Sequence, residues 1–258
     1  MSGLLVDKVG LVAGVRDRHS TGWGIAQSLG EAGARLAVSY RQPRWEPHVR
    51  ELTETLPDAR AVRMDATQDD EVERTFAVLD QEFRGLDFIV HSIAGAPYDA
   101  LHGRFVDTTR AAWHATMETN AYSLLTMARA AEPLFRRRGG GSVVAISYYG
   151  SEKAVLGYKV MGVAKAALEA IVRTLAAELG EQNVRVNAIS AGAMRTLSAR
   201  GIPGFTQLYQ TMPEKTPLRR NIATRDVGDA AAYLVSDLAK DVTGEIIHVD
   251  AGYHAVKS

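Results

Sequence analysis

Two side chains in the second half of the chain have the types and spacing for chemistry. Tyr158 and Lys165 stand seven residues apart, and on a helix seven residues make two turns, which sets both side chains on one face. A phenol beside an ammonium is a proton donor, because the positive charge lowers the cost of negative charge on the phenol oxygen. This spacing recurs by chance in many helices, so its weight depends on context. Far upstream runs Gly14-Val-Arg-Asp-Arg-His-Ser20-Thr21-Gly22-Trp23-Gly24. Glycine there lets backbone approach a pyrophosphate, while the free N–H groups of a helix start and the Ser20 and Thr21 hydroxyls supply donors. The spacing is not G-x-G-x-x-G, so the stretch reads either as a nucleotide loop or as a simple turn.

Other residues bear on the nucleotide reading. The second apolar run ends in Ser39-Tyr40-Arg41-Gln42, with no acid where an NAD site commonly holds the ribose hydroxyls. Arg41, with Arg44 nearby, pairs with a 2′-phosphate in one reading and is a solvated surface arginine in the other. Asp65 either holds an adenine amino group or caps a helix beginning near Gln68. His19, His48, His91, His102, His114, His248 and His254 are scattered, without H-E-x-x-H or a close pair at helical spacing. There is also no G-x-S-x-G, so neither a metal centre nor a serine hydrolase is expected. Trp23, Trp113 and the Tyr148-Tyr149 pair read as core or crevice-wall residues.

The elements that must position these residues are legible in the apolar pattern. Short runs rich in Val, Ile and Leu predict strands at Val9 to Ala13, Arg35 to Ser39, Ala61 to Met64, Leu86 to Val90, Ser142 to Ile146, Val184 to Ile189 and Glu245 to Val249. Between them lie helical spacings such as Ile25-Leu29, Val72-Phe76-Leu79, Leu168-Ile171-Leu175 and Ala230-Ala231-Leu234. Continuously apolar strands alternating with helices imply a parallel sheet covered on both faces. The expectation is an α/β chain: one Rossmann-like, doubly wound parallel sheet of about seven strands with helices on both faces, forming a single domain over residues 1–258. The glycine loop then follows the first strand, and Tyr158 and Lys165 follow the fifth, across the same crevice. Ala191 to Pro217 breaks the alternation with small residues, Gly and Pro just past a strand end, and is expected to form a substrate-binding lid.

Composition removes other classes. The chain has 258 residues with 30 Lys plus Arg against 30 Asp plus Glu, so no net charge favours nucleic acid or an anionic membrane. The one basic run, Arg136-Arg137-Arg138, precedes three glycines and reads as the last turn of a helix and its stop. Absence of cysteine rules out disulfides and thiolate chemistry and is compatible with the cytoplasm as the working compartment. No uncharged run approaches the roughly 18 residues that span a bilayer, and the first residues read as a strand rather than a leader.

Several blocks add a family resemblance. They are GVRDRHSTGWGIA, His91 to Pro97 (HSIAGAP), Ser147 to Ala170 (SYYGSEKAVLGYKVMGVAKAALEA), Val184 to Thr196, PLRR from Pro217, and the closing GEIIHVDAGY. Along its whole length the chain resembles the enoyl-[acyl-carrier-protein] reductases of bacterial fatty-acid synthesis, a divergent branch of the short-chain dehydrogenases. Ketone-reducing relatives place the lysine one helical turn after the tyrosine, where this chain has Gly162, and commonly carry Asn-Ala-Gly where it has Ser92-Ile93-Ala94.

The resemblance implies hydride delivery from NADH or NADPH to the β-carbon of a trans-2-enoyl thioester carried by acyl carrier protein. Tyr158 hydrogen-bonds the thioester carbonyl, Lys165 holds the nicotinamide ribose, and Tyr148 lines the acyl site with Ala96. Gly14, Ser20, Thr21, Asp65, Ala66 and Ile93 match cofactor-contacting positions, as do Met194, Arg195, Thr196, Leu197 and Ser198. Arg41 leaves the choice between NADH and NADPH open. Ala193 stands in place of a common proline, and Pro203, Thr206 and Gln207 stand where some members carry basic residues, with Arg200 nearby. A homotetramer is the usual assembly. The alternatives are a ketone-reducing short-chain dehydrogenase and a cofactor-sensing protein without turnover.

Overall fold

Seven runs expected as strands are strands in the computed structural model, which describes residues 3–256. β1 (Val9–Ala13) is buried at every position, and β2 (Arg35–Tyr40) at all but its first. β3 (Ala59–Arg63), β4 (Phe88–His91), β5 (Gly141–Tyr148), β6 (Val184–Ala191) and β7 (Ile246–Val249) complete the sheet. Its order is β3-β2-β1-β4-β5-β6-β7, and all pairs are parallel. A strand buried on both faces has no polar side to alternate, which is why the central strands read as unbroken apolar runs.

Helices cover both faces. α1 (Thr21–Glu31), α2 (Glu46–Thr53) and α10 (Thr224–Val235) pack with Ile25, Leu29, Val49 and Val227 on one side. α3 (Asp69–Phe83), α6 (Ser123–Arg138) and α7 (Val160–Leu179) pack with Phe76, Leu124, Phe135 and Leu168 on the other. α4 (Tyr98–Leu101) and α5 (Arg110–Met117) lie between β4 and α6, and α8 (Leu197–Arg200) and α9 (Phe205–Lys215) lie between β6 and α10. The chain leaves β1 towards β2 and later returns to its other side as β4, so a crevice opens where the strand order reverses.

Differences from expectation are local. β2 runs on to Tyr40, β3 starts two residues earlier, and β5 and β6 extend past their expected ends to Tyr148 and Ala191. The carboxyl ends of β2, β5 and β6 lie at the crevice, where small and polar residues hide the strand signal. α1 begins at Thr21, four residues before the first apolar residue of its helical spacing. The triple arginine does end α6, with Gly139 at φ +76° as the stop. Its three guanidinium groups pair with Glu132, Asp80 and Asp87. Among the described residues no helix is long and apolar enough to cross a membrane.

Candidate active site

A cavity of about 1050 Å³ opens along the carboxyl ends of the strands. It reaches from Arg41 and Asp65, beyond β2 and β3, to Tyr158, Lys165 and the segment after β6. Gly14 makes the turn out of β1 with φ +94°, and a Cβ there would lie 2.3 Å from the Ser92 carbonyl oxygen. Only glycine fits. The Ser20 hydroxyl accepts the N–H groups of Arg16 and Asp17, both at 3.1 Å, and so folds the loop over the first turn of α1. Its proton remains free to be donated. Gly14, Ser20 and Thr21 all line the cavity. This cradle, closed to any side chain and bordered by a helix start, fits the pyrophosphate of a dinucleotide.

At one end Arg41 Nε donates to Asp65 Oδ2 at 2.7 Å. Asp65 Oδ1 accepts from Thr67 N at 3.1 Å and Thr67 Oγ1 at 2.8 Å, so the aspartate closes its own turn. The capping alternative is not observed, since α3 starts at Asp69 after Gln68. Burial pushes the Asp65 carboxyl up, but the bonds from Thr67 and Arg41 outweigh it and hold the group below the usual carboxylate range. The guanidinium groups of Arg16 and Arg44 lie 5.4 and 5.6 Å from the Trp45 ring centroid. Three arginines thus surround the exit of β2.

At the other end the structure corrects the helical argument for Tyr158 and Lys165. α7 begins at Val160, so Tyr158 precedes the helix, and Lys159 between them has φ 45° and ψ −121°. The two side chains do not share a helical stripe. Both line the same cavity, buried, with Tyr158 5% and Lys165 3% exposed. Lys165 Nζ donates to the carbonyl of Ile146 at 2.7 Å and of Ile93 at 3.5 Å. The Tyr158 ring stands edge-on to Tyr148 with centroids 4.7 Å apart.

Burial first, and then the neighbouring Tyr148, push the Tyr158 phenol far above its ordinary value. The expected easing of its ionisation by Lys165 is therefore not what sets this group. It is a neutral hydroxyl, a donor rather than an anion. Burial likewise raises Tyr148 to about 12. Lys165 is pushed down to about 8 by burial, against the opposing field of Glu169. His91, the fully buried last residue of β4, is held down to about 3 by burial and by the Lys165 charge. Ser123 Oγ donates to the Thr119 carbonyl, so His91 Nε2 carries the proton it gives to Ser123. That neutral ring belongs to the core. No group of three or more His, Cys, Asp or Glu side chains among the described residues is placed to hold a metal ion.

Most other expected positions fall on the same cavity. Ala66, Ile93, Ala96, Met194, Thr196, Leu197 and Ser198 line it. Arg195 does not: its side chain is exposed and its guanidinium lies 4.7 Å from the Tyr209 ring centroid. Thr196 caps α8 by accepting from Ala199 N at 3.1 Å. Ala193, Phe205 and Met212 bury one another beneath this segment.

Gly150 escaped the sequence reading, and Gly162 was read only as the absence of a lysine there. A Cβ on Gly150 would sit 2.4 Å from the Tyr158 ring, and one on Gly162 would sit 2.6 Å from the Gly150 carbonyl oxygen. The position one turn after Tyr158 is thus closed to lysine by backbone, and the ammonium must come from further along α7. Gly162 itself was the available signal.

A dinucleotide-binding α/β protein with a buried tyrosine and lysine at one end of its crevice is the class that fold and site define. A family profile described as enoyl-(acyl carrier protein) reductase matches residues 14–254. The chain belongs to that family. It is similar to the enoyl-[acyl-carrier-protein] reductase [NADH] FabI of Bacillus cereus, 45% identical over 253 residues covering 97% of this chain and 98% of the relative. It is also similar to the enoyl-[acyl-carrier-protein] reductase [NADPH] FabI of Staphylococcus aureus, 43% identical over 98% of this chain and 99% of that one. Among solved structures, the Bacillus cereus reductase with NADP+ and indole naphthyridinone superposes with a TM-score of 0.96 at 44% identity, covering all of both chains. The Aquifex aeolicus enoyl-[acyl-carrier-protein] reductase (NADH) superposes with a TM-score of 0.95 at 41% identity, over 99% of this chain and 100% of that one.

Proposed function

We propose that this chain reduces the trans-2 double bond of an enoyl thioester borne by acyl carrier protein, with NADH or NADPH. The observation that carries the reading is the neutral, buried Tyr158 hydroxyl beside Tyr148, on the cavity that also holds the Gly14 cradle. Reduced nicotinamide, when bound, supplies the hydride that the β-carbon accepts. Tyr158 donates to the thioester carbonyl oxygen and stabilises the enolate charge where it develops. Tyr148, Ala96, Met161 and Leu101 enclose Tyr158 in an apolar wall that keeps water from the acyl site. Lys165, anchored on the Ile146 and Ile93 carbonyls, holds ribose hydroxyls with its remaining proton.

Gly14, Ser20 and Thr21 hold the pyrophosphate, and Arg41, Asp65 and Ala66 the adenosine side. Ile93 and the 194–198 stretch flank the nicotinamide, with Arg195 bracing that stretch through Tyr209 rather than touching cofactor. Residues 191–217, with α8 and α9, form the lid over the acyl chain. The protein works in the cytoplasm as a homotetramer. Support for the assembly comes from an outward depression between α5 and α7 lined by Met117, Ala121, Ala167 and Ile171. Light scattering of the purified protein measures the mass directly.

A turnover assay with two thioesters and two cofactors tests the chemistry. Crotonyl thioester is expected to oxidise reduced nicotinamide. Turnover of acetoacetyl thioester without crotonyl turnover overturns the reading in favour of a ketone reductase, and cofactor binding with neither turnover in favour of a sensor.

A further inference from the structure

Two acidic side chains are buried among the described residues: Asp250, past β7, whose carboxylate is taken up by Gly252 N, His254 N and the His254 ring, and Glu169, beneath the cleft floor. Glu169 lies four residues beyond Lys165 on α7, so the two project from the same face one turn apart. Glu169 is 7% exposed and Lys165 3%. Consecutive residues of β5 hold both charged groups: the Ile146 carbonyl accepts from Lys165 Nζ, and the Ser147 hydroxyl donates to Glu169 Oε1. An uncompensated buried carboxylate costs several kcal/mol, so a charge kept in this place calls for a partner charge.

Few other charges face Lys165. His91 from β4 is neutral, as are Tyr148 on β5 and Tyr158 ahead of α7. His114 and Glu118 flank Ala167 and Ile171, on the outward side of α7. Glu152, past the end of β5, bonds to His248 at 2.7 Å. Glu169 is the acidic side chain that shares the buried face of α7 with Lys165, one turn away.

We propose that Glu169 is a positioning residue whose buried carboxylate, oriented by Ser147, keeps Lys165 protonated at the cofactor site. The proposal rests on the reading of Lys165 as a cofactor-holding group. E169Q keeps the size of the side chain and can still accept from Ser147, but removes the charge. S147A does the reverse.

In the wild type, affinity for NADH or NADPH, read by tryptophan fluorescence, is expected to fall as pH rises through about 8, where Lys165 loses its proton. In E169Q that fall moves about one pH unit lower, the usual scale for loss of a nearby opposite charge. E169D, which keeps the charge, leaves it in place, and S147A, which keeps the charge but frees it from its donor, moves it by less than E169Q does. A folded E169Q with the wild-type pH dependence overturns the proposal.

A melting experiment tests the same pairing without activity or cofactor. K165M strands the carboxylate, so K165M/E169Q is expected to melt above K165M. Losses that simply add overturn the proposal, as does failure of both E169Q and K165M/E169Q to fold. If wild type bound neither nucleotide, the functional reading would fail while the melting comparison still decided the role of Glu169.

Discussion

The crevice has two ends built from the same kinds of charge in opposite surroundings. Beyond β2, Arg41 pairs with Asp65 with 49% and 18% of their side chains exposed. On the cleft floor, Lys165 and Glu169 are 3% and 7% exposed. Water screens the first pair, and exposed pairs contribute about 0 to 1 kcal/mol. Lys165 and Glu169 form no direct ion pair but sit in protein, each held by dipoles from β5, where the desolvation cost is several kcal/mol per ion. Under the proposed function, discrimination between cofactors belongs to the wet end and chemistry to the dry end.

The largest expected effect is at the dry end. Tyr158→Phe is expected to lower kcat by about 10² to 10⁴, the usual contribution of a positioned proton donor, with cofactor Kd nearly unchanged. An unchanged kcat would remove Tyr158 from the mechanism. Next comes Lys165→Ala, which removes a charge-assisted hydrogen bond of about 1.5 to 3 kcal/mol and so weakens cofactor binding about 10- to 100-fold. The alkaline loss of affinity near pH 8 is expected to vanish with it, because Lys165 is protonated below that pH and neutral above it.

Between the two ends, Gly14→Ala forces a non-glycine residue to φ +94° and a methyl onto the Ser92 carbonyl. A loss of about 1 to 3 kcal/mol in denaturant unfolding is expected, with weaker cofactor binding. At the wet end, Arg41→Ala is expected to reduce the preference for NADPH over NADH by up to about tenfold, an effect that shrinks as salt is raised. Survival of an NADPH preference in the variant would transfer the phosphate to Arg16 or Arg44. The smallest effect is at Lys159, whose φ of 45° and ψ of −121° strain a side-chain-bearing residue. Lys159→Gly is expected to raise stability by about 1 kcal/mol, measured by denaturant midpoint.

Legibility also differed between the ends. The Gly14 loop was readable because a glycine after a first apolar strand has few other uses, although its spacing matched no standard fingerprint. Asp65 was readable as important, but not whether it caps α3, since that turns on where the helix starts. Tyr158 and Lys165 were found for an incomplete reason. Their helical spacing holds in the sequence, yet the helix begins after the tyrosine, and the phenol is placed by the strained Lys159 and by space left at Gly150 and Gly162. Glu169 and Ser147 escaped because a Glu on a helix ordinarily faces water, and only packing against β5 buries this one.

Apolar runs and their alternation with helical spacing determined the sheet, its parallel sense and the place of each strand to within about two residues, because burial on two faces leaves a pattern that neighbours along the chain share. Strand order, the meeting of residues from β1, β4, β5 and α7 on one cavity, and the protonation of its side chains were decided by the tertiary structure alone. Those properties depend on desolvation and on fields from residues distant in sequence. A buried ammonium at the mouth of a sheet and a solvated one on a surface helix are written with the same letter.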